Sequence, residues 1–140
     1  MSEPQTIGAL LEAARSRLER LEPAAALRAQ AGGALIVDTR CAELRRDEGV
    51  IPGSVHVPLS VLYWRLDQTS GHSDPALTDT DRQVVLCCAH GYSSSLAAAT
   101  LRDLGFSRAT DIVGGFEAWT AAGLPVMAAE AKPNTGSTRP

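Results

Sequence analysis

Val84-Val85-Leu86-Cys87-Cys88-Ala89-His90-Gly91-Tyr92-Ser93-Ser94-Ser95, running on through Leu96-Ala97-Ala98-Ala99-Thr100-Leu101-Arg102-Asp103-Leu104, decides how this chain reads. Val84 to Cys88 is a short unbroken apolar run, the pattern of a strand buried on both faces. Ser95 to Leu104 has the spacing of a helix, and Gly105 stands where a helix ends. Between them lies a short loop headed by a cysteine and rich in Gly and Ser. A strand, a tight loop and a helix N-terminus form an anion cradle, because backbone N–H groups there lack internal partners. The helix dipole and the hydroxyls of Ser93, Ser94 and Ser95 favour a thiolate at Cys88, and one of these serines is expected to cap the helix. Cys87 precedes Cys88 on the strand, so its side chain is expected to point the other way, into packing.

Working outward, Ala34-Leu35-Ile36-Val37 is a second buried strand, with Asp38-Thr39-Arg40 at its C-terminal end. That end of an open α/β sheet is where functional groups gather. Ala24 to Gln30 predicts a short helix opened by Pro23 and closed by Gly32-Gly33. Residues 41–50 are charged and predict a solvated helix or loop. Ile51-Pro52-Gly53-Ser54 is a turn, Val55-His56-Val57 a short strand, and Val61–Leu66 a short helix capped by Ser60. Residues 67–82 are a polar connection with a turn of helix near Asp79–Asp81. Ala109–Val113 predicts a strand, Gly114-Gly115 a tight turn, and Phe116–Ala122 a helix carrying Trp119. Strands alternate with helices, which predicts an α/β class with a mainly parallel sheet.

The ends differ from the middle. Ile7, Leu10, Leu11, Ala14, Leu18 and Leu21 form an apolar stripe that predicts a docking helix over residues 5–21, with Ser2 and Gln5 as a capping box. Residues 1–22 are therefore assigned to an N-terminal amphipathic extension, 23–127 to the domain and 128–140 to a disordered tail.

Totals exclude several function classes. The 140 residues are 44% hydrophobic, which suits one core. A net charge of −3 and no basic cluster argue against nucleic acid, and 4% aromatic residues argue against base stacking. No apolar run approaches the roughly 18 residues that span a bilayer. Glu3 and the lack of a long uncharged core argue against a secretory signal. Three cysteines, Cys41, Cys87 and Cys88, make a poor disulfide framework and fit reduced thiols in the cytoplasm. Cys87, Cys88 and His90 do not have metal-ligand spacing, and no phosphate-loop lysine is present. Cys41 reads as a bystander, His56 as structural, His72 as solvent-facing and Trp64 as core.

Cys88-Ala89-His90-Gly91-Tyr92-Ser93-Ser94 resembles the active-site loop of rhodanese-type sulfurtransferases, in its Cys-x-His-Gly-x-Ser-Ser form. Asp38-Thr39-Arg40 is similar to the family's Asp-x-Arg after a core strand. Ile51-Pro52-Gly53-Ser54 resembles its Ile-Pro-Gly-Ala segment, and Gly114-Gly115-Phe116-Glu117-Ala118-Trp119 through Gly123-Leu124-Pro125-Val126 its C-terminal signature. The resemblance covers about residues 23–127, in order.

It implies a single-domain, three-layer rhodanese-like fold whose mainly parallel sheet of about five strands is flanked by helices. It implies a thiosulfate sulfurtransferase in which Cys88 is the nucleophile and Ala89, His90, Gly91, Tyr92, Ser93 and Ser94 bind substrate. Asp38 and Arg40 are expected to support the pocket by pairing with each other, and His90 to brace the loop. The sulfane sulfur of thiosulfate would pass through a Cys88 persulfide to cyanide, a cellular thiol or a protein acceptor, with no metal or organic cofactor. The alternative is a persulfide carrier or interaction module with little small-molecule turnover. The Cys-x5-Arg phosphatases share a related scaffold, but the sixth position after Cys88 is Ser94, so the bidentate clamp is missing. Residues 89–94 contain no Arg or Lys, which predicts weak thiosulfate binding with a modest salt dependence. A tight complex insensitive to salt would mean that Arg40 or Arg65 reaches the site.

Overall fold

Leu35–Asp38 and Val84–Cys87 are buried at every position, and they form the two central strands, β1 and β3. The computed structural model describes residues 3–129. Val55–His56 (β2) pairs with the outer side of β1, and Thr110–Asp111 (β4) with the outer side of β3. All pairs are parallel and the order is β2-β1-β3-β4. The chain thus moves one way from β1 to β2 and the other way from β3 to β4, so the strand order reverses between β1 and β3. The crevice beyond the C-terminal ends of those two strands is the fold's natural site, and Cys88 is the first residue past β3.

Side chains alternate across the sheet, as strand geometry requires. Leu35, Val37, Val84 and Leu86 enter one core with Leu62, Leu66, Ala97, Leu101 and Phe106. Ile36, Val85 and Cys87 enter the other with Ala26, Ile112, Phe116 and Trp119. The helices supplying these layers are Ile7–Arg15 (α1), Pro23–Ala31 (α2), Ala42–Glu48 (α3), Leu62–Leu66 (α4), Ser93–Asp103 (α5) and Gly115–Ala121 (α6). No residue of α3 is buried, as its charge predicts.

The expected five strands become four, with one addition. Leu21 makes a single parallel bridge to Ile112 at the β4 edge, donating to Asp111 and accepting from Val113. The expected helix over residues 5–21 is correspondingly shorter, because residues 17–21 leave it to reach the sheet. Thr6 is the cap, accepting the Ala9 N–H at 3.0 Å; Ser2 lies outside the described residues. The apolar stripe is only half used. Ala14 is buried and Leu18 packs on the core, whereas Ile7 is 69% exposed. Helix α1 packs on α5 of its own chain.

Other local expectations shift for identifiable reasons. Ser60 does not cap α4, because residues Leu59–Val61 already turn as a 3₁₀ helix ahead of it. The helical turn expected near Asp79–Asp81 lies at Pro75–Leu77, where Asp74 caps it and Pro75 presets the first residue. Trp64 is half exposed against Tyr63 and is not core. Of the tail expected at 128–140, Ala128 and Ala129 alone are described; the rest lies outside the described residues. Among the described residues no helix is long and apolar enough to cross a membrane.

Candidate active site

The Cys88 side chain emerges on the α5 side of the sheet, opposite Cys87. Burial pushes the Cys87 thiol far above the range of an ordinary cysteine, and the nearby Asp38 carboxylate adds to this. Cys88 is also buried, and burial alone would raise its pKa. Hydrogen bonds from the Ser94 hydroxyl and N–H, the Ser93 hydroxyl and the Gly91 N–H outweigh that, and its pKa falls below the ordinary thiol value. The Gly91 N–H reaches Sγ at 3.1 Å and the Ser94 Oγ lies 3.2 Å from it.

Ser94 has one hydroxyl proton and two anionic claimants. With Cys88 as a thiol, Sγ donates to Ser94, and Ser94 donates to Asp111 Oδ2 at 2.7 Å. With Cys88 as a thiolate, Ser94 must turn its proton to sulfur. Asp111 then keeps the Ser95 hydroxyl at 2.7 Å and Arg20, which pairs with it at 2.8 and 3.2 Å. The carboxylate therefore stays satisfied in both states, and the thiolate gains a donor.

The loop is shaped from behind by what holds its carbonyls. Phe116 N–H donates to the Cys88 carbonyl at 2.8 Å, and Glu117 N–H to the Ala89 carbonyl at 3.1 Å. In a trans peptide the C=O and the next N–H point opposite ways. Holding these two carbonyls outward turns the Ala89 and His90 N–H groups inward, and neither has a hydrogen-bond partner among the described residues. This requires the α6 turn to press against the loop. Gly115 has φ +63°, and a Cβ there would lie 2.5 Å from the Cys88 carbonyl oxygen. Gly91 has φ +85°, and its Cβ would lie 2.7 Å from Gly114 N. The loop and the Gly114-Gly115 turn are backbone packed on backbone, which only hydrogen at Cα permits.

Asp38 and Arg40 pair with each other, as expected, through Nη2–Oδ2 at 2.8 Å and Nε–Oδ1 at 3.0 Å, and both are buried. Arg45 adds a bond to Asp38, and Arg40 holds the Gly49 carbonyl. The Arg40 guanidinium lies 3.8 Å over the Phe116 ring, so the pair steadies the helix that backs the loop. Arg40 is spent on these contacts, and Arg65 binds the His72 carbonyl on the surface; neither is a charge at the cradle.

Burial raises the Asp38 carboxyl, but bonds from Arg40 and Arg45 outweigh it and hold its pKa below the ordinary value. A carboxylate lowered in the folded state contributes stability that is complete above its unfolded pKa of about 4 and is lost as pH falls through the folded value. Thermal melts between about pH 2 and pH 6 are expected to show that loss, and D38N is expected to flatten it. D38N also lowers stability at neutral pH by about 3–5 kcal/mol, because it strands the buried Arg40 charge.

Two expectations at the site are corrected. No serine caps α5: its first position follows Tyr92, and Ser94 and Ser95 face back to Asp111 instead. His90 does not brace the loop. Its ring is exposed, and its polar contact is Glu117, Nδ1–Oε1 at 3.5 Å. The bracing falls to Ser95, expected only as a hydroxyl donor or cap, and to Arg15, Arg20 and Asp111, which no sequence motif marks. Arg15 Nη2 and Arg20 Nη2 both donate to the Gly91 carbonyl, at 2.7 and 3.1 Å. Asp111 carried a signal: a carboxylate inside an otherwise apolar strand needs a partner. Among the described residues no three His, Cys, Asp or Glu side chains gather as a metal site.

A parallel α/β sheet with a cysteine-headed anion cradle at its switch point defines the class. The chain matches the rhodanese-like domain family over residues 22–122. It is 42% identical to a thiosulfate sulfurtransferase GlpE of Pseudomonas savastanoi over 71% of this chain and 83% of that one. It is 36% identical to a protein of the same name from Ectopseudomonas mendocina, over 76% and 88% of the two chains. A solved protein of unknown function from Rhodopseudomonas palustris, described as a possible tyrosine phosphatase, superposes with a TM-score of 0.82 at 34% identity, covering 91% of this chain and 98% of that one. The chain belongs to the rhodanese-like domain family.

Proposed function

We propose that this protein is a thiosulfate sulfurtransferase working through Cys88. The observation that carries the reading is the Cys88 sulfur, held under the Gly91 N–H and beside Ser93 and Ser94 at the N-terminus of α5. The names of the relatives supply the substrate class. The Cys88 thiolate attacks the outer sulfur of thiosulfate. A new S–S bond forms at Cys88, the S–S bond of thiosulfate breaks, and sulfite leaves with the electron pair. Inward N–H groups of residues 89–91, with the serine hydroxyls, stabilise the terminal sulfur anion of the persulfide. Cyanide or a thiolate then attacks that sulfur and restores Cys88. The small-molecule donor and acceptor are the partners, and the free thiols fit a reducing, cytoplasmic setting.

Phosphoryl transfer has less support. Ser94 stands where a phosphatase loop places its arginine, and the nearby guanidinium groups of Arg15 and Arg20 are tied to the Gly91 carbonyl.

The test is intact-mass and peptide mass spectrometry after thiosulfate treatment. A gain of one sulfur atom on Cys88, removed by cyanide, is expected; no adduct at Cys88 sinks the reading. Adduct without steady turnover would make the protein a persulfide carrier. Because the anion meets mostly neutral donors, the thiosulfate KM is expected to rise about two- to threefold from low to physiological salt. Steady-state assays at matched thiosulfate and varied sodium chloride read this directly.

A further inference from the structure

The persulfide cradle has three outward carbonyls, and the helix α6 turn explains only two of them. The third, Gly91 C=O, is held by two arginines from the segment before the family match. We propose that Arg15, acting with Arg20, is a positioning residue for the Cys88 loop: it fixes the Gly91–Tyr92 peptide and brings to the cradle the guanidinium charge that residues 89–94 lack.

The peptide geometry is the first support. The bond is trans, so a carbonyl pulled toward Arg15 and Arg20 turns the Tyr92 N–H to the opposite, concave side of the loop. That N–H has no hydrogen-bond partner among the described residues. Arg15 is fixed at both ends of its fork, since Nε donates to the Ser95 hydroxyl at 3.1 Å while Nη2 takes the carbonyl at 2.7 Å. Its guanidinium also sits 5.6 Å from the Tyr92 ring centroid.

Charge is the second support, and it separates the two arginines. Arg20 is neutralised by Asp111 at 2.8 Å. Arg15 makes no ion pair among the described residues. The Arg15, Arg20 and Asp111 group therefore keeps a net positive charge, held on the carbonyl of the same residue, Gly91, whose N–H binds Sγ. The other titratable groups around Cys88 are Cys87 beneath it with the mutually paired Asp38 and Arg40, Tyr92 in the loop, and His90, Glu117 and Glu48 on the solvent side. An attacking thiolate, a thiosulfate dianion and a persulfide anion are each favoured by that charge.

The proposal rests on the sulfurtransferase reading for its substrate, but not for its effect on Cys88, so the test has two arms. Cys88 alkylation by iodoacetamide is followed against pH by peptide mass spectrometry, without any sulfur donor. Thiosulfate kcat and KM are measured separately. The variants are R15Q, R15K and R17Q. R17Q removes the same charge from the same segment, where Arg17 pairs with Asp103 on the surface.

R15Q is expected to move the alkylation midpoint up by about 0.5–1 pH unit and to lower kcat/KM by about tenfold, mostly through KM. R15K keeps a charge but has no planar fork, so it should recover the midpoint more than the KM. R17Q should leave both unchanged. If R15Q matches R17Q in midpoint and KM, the proposal is overturned. If R15Q does not fold, R15K decides it: a KM equal to the parent's overturns the proposal, and a raised KM with an unmoved melting temperature upholds it. If the parent protein shows no sulfur transfer at all, the sulfurtransferase reading falls, and the alkylation arm still judges Arg15.

Discussion

C88S is expected to abolish sulfur loading and to lower turnover by at least about a thousandfold. A hydroxyl at that position has no thiolate to offer near neutral pH, and it cannot carry a sulfane sulfur. The fold should tolerate the change. Serine keeps a donor for Ser94 and an acceptor for the Gly91 N–H, the two contacts that Sγ makes there, so the melting temperature should move little.

C87S is the necessary contrast. Cys87 lies in the core formed with Val85, Ile36 and Phe116 and points away from the cradle. A hydroxyl in that apolar layer costs about 1–3 kcal/mol, yet loading at Cys88 should persist in the folded fraction. Both variants are read by persulfide mass spectrometry and by chemical denaturation. Turnover unchanged in C88S, or lost in folded C87S, would overturn the assignment of the nucleophile.

Features that depend on local pattern were legible in the sequence. The buried runs at Leu35–Val37 and Val84–Cys87 are strands because a parallel sheet covered on both faces needs unbroken apolar residues. Period-two alternation alone separates Cys87 from Cys88. Asp38 and Arg40 are two residues apart, so their pairing was local. Features that depend on distant encounter were not legible. Arg15 and Ser95 are far apart in sequence, as are Arg20 and Asp111, and no spacing rule links them.

The N-terminal segment shows why. Its apolar stripe has the period of one continuous helix face, and that period carries no information about the arginines beside it. In the folded chain, Leu21 bridges to Ile112 at the sheet edge. That contact ends the helix early and draws Arg20 to Asp111. Neither consequence can be read from the helical period, because a strand-edge contact at Leu21 competes with it.

The Gly114-Gly115 turn belongs to the C-terminal signature, and the physical reason for its glycines lies in its packing against the Cys88 loop. G115A is expected to lower stability by about 3 kcal/mol and to slow sulfur transfer by about a hundredfold in whatever remains folded. Two costs combine. The residue sits at φ +63°, which an L side chain resists, and its Cβ would meet the Cys88 carbonyl oxygen at 2.5 Å, Gly91 N at 2.8 Å and the Ala89 carbonyl carbon at 2.9 Å. All three are backbone atoms of the cradle, so no side chain can swing aside. Helix α6 cannot retreat either, since it is anchored by buried Phe116 and by Trp119, whose indole N–H donates to the Pro125 carbonyl at 2.8 Å. The loop must move, and the Phe116 N–H bond that turns Ala89 inward is lost with it. G33A isolates the backbone cost: Gly33 has φ +111° but open space where its Cβ would go. It should therefore lose stability by about 1–2 kcal/mol and leave the transfer rate per folded molecule unchanged. Denaturation curves give the first comparison and single-turnover sulfur loading the second. Equal loading rates for G115A and G33A would mean that the α6 turn supports the fold without shaping the cradle.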